Sequence, residues 1–138
     1  MKKYFIDTNL VVYANDQRDQ EKQEMAIIII SRLMKNRTGV ISTQVLQEYA
    51  HVALKKLHQR QDVVLRQLAL LESFEVIAQT PSLVRRSVEI GTAYQISFWD
   101  ACIISAAEYG HCDTIYSEDL NSGQFYSGIA VLNPFLKS

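Results

Sequence analysis

A chain of 138 residues, 48% hydrophobic and 21% charged, can bury a real core and reads most simply as one domain over 1–138. Its formal net charge of −1 argues against indiscriminate coating of nucleic acid or membrane, though not against a local basic face. Its two cysteines, Cys102 and Cys112, make no CxxC pair, so neither a disulfide framework nor a thiolate zinc site is suggested.

The longest apolar run, Ala26 to Ile30, is too short to span a bilayer. The N-terminus shows no apolar signal-peptide segment, so a cytoplasmic location with no membrane partner is expected. No repeat, low-complexity tract or Gly/Ser-rich linker divides the chain.

"KKYFID" predicts a short strand buried on both faces, because its apolar run is continuous rather than alternating. Residues around 20–35 predict a helix. Four consecutive Ile residues there would also suit a strand, but length and flanking charges favour the helix. "TGVIST" (38–43) predicts a second strand running into a helix over "QVLQEYAHVALKKL", where Val45, Tyr49, Val52, Ala53 and Leu57 keep helical spacing. A helix over 61–73, a strand at "FEVIA" and a helix capped by Thr80 with Pro81 at its first position follow. "SFWDACIISAAEYG" predicts a further helix ended by Gly110, and "DTIYS" and "IAVL" predict strands. Strands alternate with helices, which implies βαβ units and a parallel sheet flanked by helices.

In such sheets ligands sit beyond the carboxyl ends of the strands. Asp7, in "YFIDTNLVVYA", falls where the first strand ends. Glu48 lies early in the helix after the second strand, Asp100 opens the helix "WDACIISAA", and Glu118 and Asp119 follow "DTIYS" directly. Each acid alone has an ordinary reading. Asp7-Thr8-Asn9 suits a strand-to-helix cap, Ser97 with Asp100 a variant capping box, Glu48 an exposed helix position, and Asp119-Leu120-Asn121-Ser122-Gly123 a turn. Together they share one topological address. Carboxylates gathered there raise one another's pKa unless a cation joins them, and oxygen-only ligands select Mg²⁺ or Mn²⁺. Such ions activate water and stabilise in-line phosphoryl displacement. Asn9 and Ser117 could support the ligands by hydrogen bonds.

"FIDTNLVVYA", "QVLQEYAHVA", "SFWDACIISAA" and "IYSEDLNSGQ", in that order and spacing, resemble PIN-domain ribonucleases, in particular VapC-type toxins of prokaryotic toxin–antitoxin pairs. The resemblance implies a three-layer α/β/α sandwich with a central, mostly parallel sheet. It also implies Mg²⁺- or Mn²⁺-dependent cleavage of RNA, homodimers and neutralisation by a cognate antitoxin. The metal-binding acids of that family match Asp7, Glu48, Asp100 and Asp119, with Glu118 an adjacent candidate for the fourth. Ser117 stands where the family commonly has Thr, which keeps the hydroxyl.

RNA also requires cations near the acids. Lys55, Lys56 and Arg60, expected on one helix with Glu48, and Arg85-Arg86 are candidates against an ordinary solvated-face reading. Tyr13, Tyr49 and Trp99 could stack bases, but apolar neighbours favour core packing for Tyr49 and Trp99. His51 and His58, seven positions apart, are expected on one helix face at the surface, and none of the three histidines has zinc-ligand spacing. Two other functions fit parts of this pattern. An aspartyl-nucleophile phosphatase needs an acid two positions after Asp7, where Asn9 stands. A catalytically silent RNA- or protein-binding module would share the fold without the chemistry.

Overall fold

The computed structural model describes residues 1–136; Lys137 and Ser138, the end of the expected 1–138 domain, lie outside the described residues. Its elements are β1 (Tyr4–Ile6), α1 (Thr8–Ala14), α2 (Gln20–Asn36), β2 (Gly39–Ser42), α3 (Thr43–Lys55), α4 (Gln61–Leu71), β3 (Glu75–Ile77), α5 (Pro81–Tyr94), α6 (Phe98–Tyr109), β4 (Thr114–Tyr116), β5 (Phe125–Tyr126) and β6 (Ile129–Leu132). Among the described residues no helix is long and apolar enough to cross a membrane.

One sheet runs β3-β2-β1-β4-β6-β5, parallel throughout except for the antiparallel β5–β6 pair. It is the mostly parallel α/β sandwich that the strand–helix alternation predicts. Phe5, Ile6, Val40, Ile41 and Ile115 have no exposure, as strands covered on both faces require.

Two glycines show how closely the layers stack. A Cβ on Gly39 would stand 2.5 Å from the Phe74 ring and 3.2 Å from Leu33 of α2. A Cβ on Gly110, the C-cap of α6, would come 3.2 Å from Val40 and 3.4 Å from Ile77. Neighbouring strand residues point to opposite faces, so α2 and α6 cover opposite sides of β2. Gly110 does end its helix, but at φ −78°; the left-handed residue is His111, at φ 58°. Glycine is needed there for the close approach to the sheet. Every residue of α6 from Ala101 to Ala107 is buried, so this helix lies inside the molecule.

Two elements escape the sequence reading. α1 has only seven residues, two of them valines, too few for local propensity to hold a helix; Leu10 and Val11 anchor it in the core. β5 has two residues and turns back on β6 through Ser127 (φ 50°) and Gly128 (φ 78°), a two-residue hairpin. The Ser-Gly pair between apolar residues is the signal that marks it.

Candidate active site

β1 and β4 are neighbours in the centre of the sheet, with Ile6 beside Tyr116. Their chains therefore leave the sheet side by side, and the Asp7 amide still donates to the Tyr116 carbonyl at 3.0 Å. Strand connections run from β1 to β2 on one side, while β4 lies on the other. This is the switch point where a parallel sheet opens a crevice at its carboxyl edge.

Asp7 sits at that switch point with 5% exposure. It caps α1, its Oδ1 accepting from the Thr8 amide at 2.7 Å, and its Oδ2 accepts from the Ser117 hydroxyl at 2.7 Å. The cap reading and the site reading of this residue therefore coexist. Burial pushes its pKa from 3.8 up to about 7; the Ser117 and Thr8 hydrogen bonds oppose the rise, and the charges of Asp119 and Glu48 add to it.

Glu48 reaches the same place from α3, which Ser42 caps directly after β2. Its Oε1 accepts from the Thr8 hydroxyl at 2.9 Å. Its charge is also felt at Cys102 in α6, whose thiol burial pushes up and Glu48 raises further. Glu48 thus stands between the start of α1 and α6.

Ser117, with no exposure, organises the chain after β4. While donating to Asp7, its oxygen accepts from the amides of Asp119 at 3.1 Å and Leu120 at 3.3 Å. Asp119 is exposed, and its carboxylate has no hydrogen-bond partner among the described residues. Glu118 turns the other way: it accepts from the Tyr13 hydroxyl at 2.7 Å and from Lys22 Nζ at 2.6 Å, while its amide donates to Asn9 Oδ1 at 3.3 Å. Burial would raise Glu118, but the Lys22 and Tyr13 hydrogen bonds and the Lys22 charge outweigh it and hold the acid below its ordinary value. Both Glu118 oxygens are engaged, whereas Asp119 is free and its charge reaches Asp7.

Asp100 occupies the first turn of α6. Its amide donates to the Ser97 hydroxyl at 3.1 Å, the first half of a capping box. Its carboxylate makes no returning bond among the described residues. Gln44 Nε2 donates to the Trp99 carbonyl at 3.3 Å, tying the start of α3 to the start of α6. Asp100 is not among the charges that move Asp7.

The structure thus couples Asp7, Glu48 and Asp119 electrostatically and places Asp100 on the adjoining helix. Among the described residues, no group of three or more His, Cys, Asp or Glu stands close enough to hold an ion without further movement. Like charges resist being drawn closer unless a cation balances them. The donors are all oxygens, which fits a hard divalent ion. The Asn9 side-chain nitrogen beside them is buried with no hydrogen-bond partner among the described residues.

Several surrounding residues differ from expectation. Trp99 is 66% exposed rather than packed, as its neighbours Ser97 and Phe98 at the start of α6 are also exposed; Tyr49 is fully buried as expected. α3 ends at Lys55, so Lys56 is its C-cap and Arg60 opens α4, paired with Asp62; the three do not line one helix. His58, at φ 52°, lies outside the helix and shares no face with His51. Arg86 is held by Glu108 at 2.8 Å, while Arg85 is exposed and unpaired among the described residues. Neither the bond from the Thr8 hydroxyl to Glu48 nor the Lys22 contact is marked by local sequence. Lys22 meets Glu118 across 96 positions, and no local pattern signals such a pair.

The PIN-domain family model matches residues 4–126. The chain belongs to the PIN-domain family. Among solved structures this PIN domain is similar to a toxin–antitoxin complex from Klebsiella pneumoniae at 21% identity, over 96% of this chain and 98% of that one, with a TM-score of 0.70. It is similar to the sarcin–ricin-loop-cleaving toxin VapC20 of Mycobacterium tuberculosis at 18% identity, over 85% and 90% of the two chains, with a TM-score of 0.67. VapBC2 from Rickettsia felis, bound to a promoter DNA fragment, matches at 21% identity over 93% and 96%, with a TM-score of 0.66. None of the curated proteins is similar enough in sequence to match. These likenesses show the PIN fold over nearly the full chain.

Proposed function

We propose that this PIN domain is a divalent-metal-dependent endoribonuclease, the toxin of a toxin–antitoxin pair. The observation that carries the reading is Asp7, a carboxylate buried at the switch point of the sheet and electrostatically coupled to Glu48 and Asp119. An acid buried at the carboxyl edge of a parallel sheet, held by Ser117 and pushed up to about 7, is a candidate functional group.

Asp7, Glu48, Asp100 and Asp119 hold one or two Mg²⁺ or Mn²⁺ ions. The bound metal supplies the positive charge that activates water and stabilises in-line displacement at a phosphodiester. Ser117 and the Thr8 amide fix the two Asp7 oxygens, and the Thr8 hydroxyl orients Glu48. Asp119 rather than Glu118 is the fourth ligand, since Glu118 spends both oxygens on Tyr13 and Lys22. Trp99, exposed one residue before Asp100, offers a face on which a base can stack.

The toxin–antitoxin complexes among the structural neighbours support a cognate antitoxin as partner. A cytoplasmic homodimer belongs to the same reading.

The separation of the acids favours one competing reading, a silent RNA- or protein-binding module. Purified protein incubated with mixed RNA and Mn²⁺, with and without EDTA, separates the two. Cleavage that EDTA abolishes is expected; intact RNA under every condition would leave the binding module.

A further inference from the structure

Lys22, in the first turn of α2, closes a small ring of contacts beside the acids. Its Nζ donates to Glu118 Oε2 at 2.6 Å and to the Tyr13 hydroxyl at 3.1 Å, and the Tyr13 hydroxyl donates to Glu118 Oε1 at 2.7 Å. The ammonium also lies 4.6 Å from the centre of the Tyr13 ring, which meets Phe135 edge-on at 5.1 Å. Glu118 is held a third time through its amide, which donates to Asn9 Oδ1. One acid is thereby gripped by α1 and α2 at once. The next residue in the chain is Asp119.

Two consequences follow for the carboxyl edge of the sheet. The direction in which the chain enters Asp119 is set by where Glu118 is pinned. Glu118 is also removed from the acids as a competing negative charge, because a full positive charge sits against it.

We propose that Lys22 and Tyr13 are positioning residues for the metal site: by drawing Glu118 toward α1 and α2 they fix the placement of the Asp119 carboxylate. This rests on the reading of Asp119 as a metal ligand.

Calorimetric titration of EDTA-stripped, full-length protein with MnCl₂ tests it, alongside melting of the same samples in metal-free buffer. Lys22→Met weakens Mn²⁺ binding about tenfold, the scale at which outer contacts act on metal ligands. Lys22→Arg restores most of that affinity, and Tyr13→Phe weakens it severalfold. A purely structural ion pair would lower the metal-free melting temperature while leaving Mn²⁺ affinity unchanged, and that result overturns the proposal. If Lys22→Met does not fold, Tyr13→Phe, which removes only a hydroxyl, decides on the same criterion. A wild type that takes up no Mn²⁺ overturns the functional reading as well; unchanged affinity in the variants overturns the positioning role alone.

Discussion

Ser117 donates its hydroxyl to Asp7 at 2.7 Å across 110 positions of sequence, joining the ends of two adjacent parallel strands. The same oxygen accepts two amides of the following turn, so one buried atom sets both the Asp7 carboxylate and the chain carrying Asp119. Ser117→Ala strands the buried Asp7 oxygen and the buried Leu120 amide. The expected loss is about 1–3 kcal/mol of stability by urea denaturation, with a fall of at least tenfold in RNA cleavage. Wild-type values in both assays would mean that the hydroxyl holds neither acid.

Asp7→Asn separates activity from stability. The folded pKa of Asp7, about 7, lies above its ordinary 3.8, so the native state binds the extra proton between these values. This group's contribution to stability therefore falls as pH rises from about 4 to about 7, and its cost is fully present at pH 8. The amide carries no charge to desolvate. In EDTA at pH 8 the variant melts several degrees above wild type, and with Mn²⁺ in place of EDTA it cleaves no RNA where wild type does. A lower melting temperature would show that the carboxylate is structural.

Asp100→Asn distinguishes ligand from cap. The cap bond uses the Asp100 amide and the Ser97 hydroxyl, and neither is altered by the substitution. Melting stays within about 0.5 kcal/mol of wild type, as for other surface changes that break no contact. Cleavage falls by at least tenfold, read as initial rate at saturating Mn²⁺. Full activity would remove Asp100 from the site.

Glu108 on α6 is joined to Arg86 on α5 by two hydrogen bonds, at 2.8 and 2.9 Å. The Arg86 hydrogen bonds hold Glu108 below its ordinary 4.5 against the opposing effect of burial. A lowered acid stabilises the fold above its unfolded pKa and loses that contribution as pH falls through the native value. Glu108→Gln lowers stability at pH 7 and flattens its decline below about pH 4.5, followed by urea midpoints from pH 7 to 3. An unchanged acid limb would mean that the pair is only a surface contact.

Local patterns in the chain account for much of this architecture. Thr80-Pro81 and Ser97 cap α5 and α6 as their residue types dictate, and the uninterrupted apolar runs of β1 and β2 require cover on both faces. The positions of Asp7, Glu48, Asp100 and Asp119 at strand ends and helix starts are equally legible, because the alternation of elements fixes which edge of the sheet they reach. Less was readable where distant partners decide. α1 has too little propensity of its own, and Trp99 looks like core in sequence yet stands exposed.

Between Glu118 and Asp119 the sequence alone leaves the choice open, since neighbouring acids in a turn look alike. Only tertiary structure gives them different surroundings, bringing Lys22 and Tyr13 against Glu118 and leaving the Asp119 carboxylate without a hydrogen-bond partner among the described residues. The physical reason is range. Periodicity and capping act within a few residues and are written in the local sequence, whereas burial and the pairing of charges depend on which side chains folding brings together.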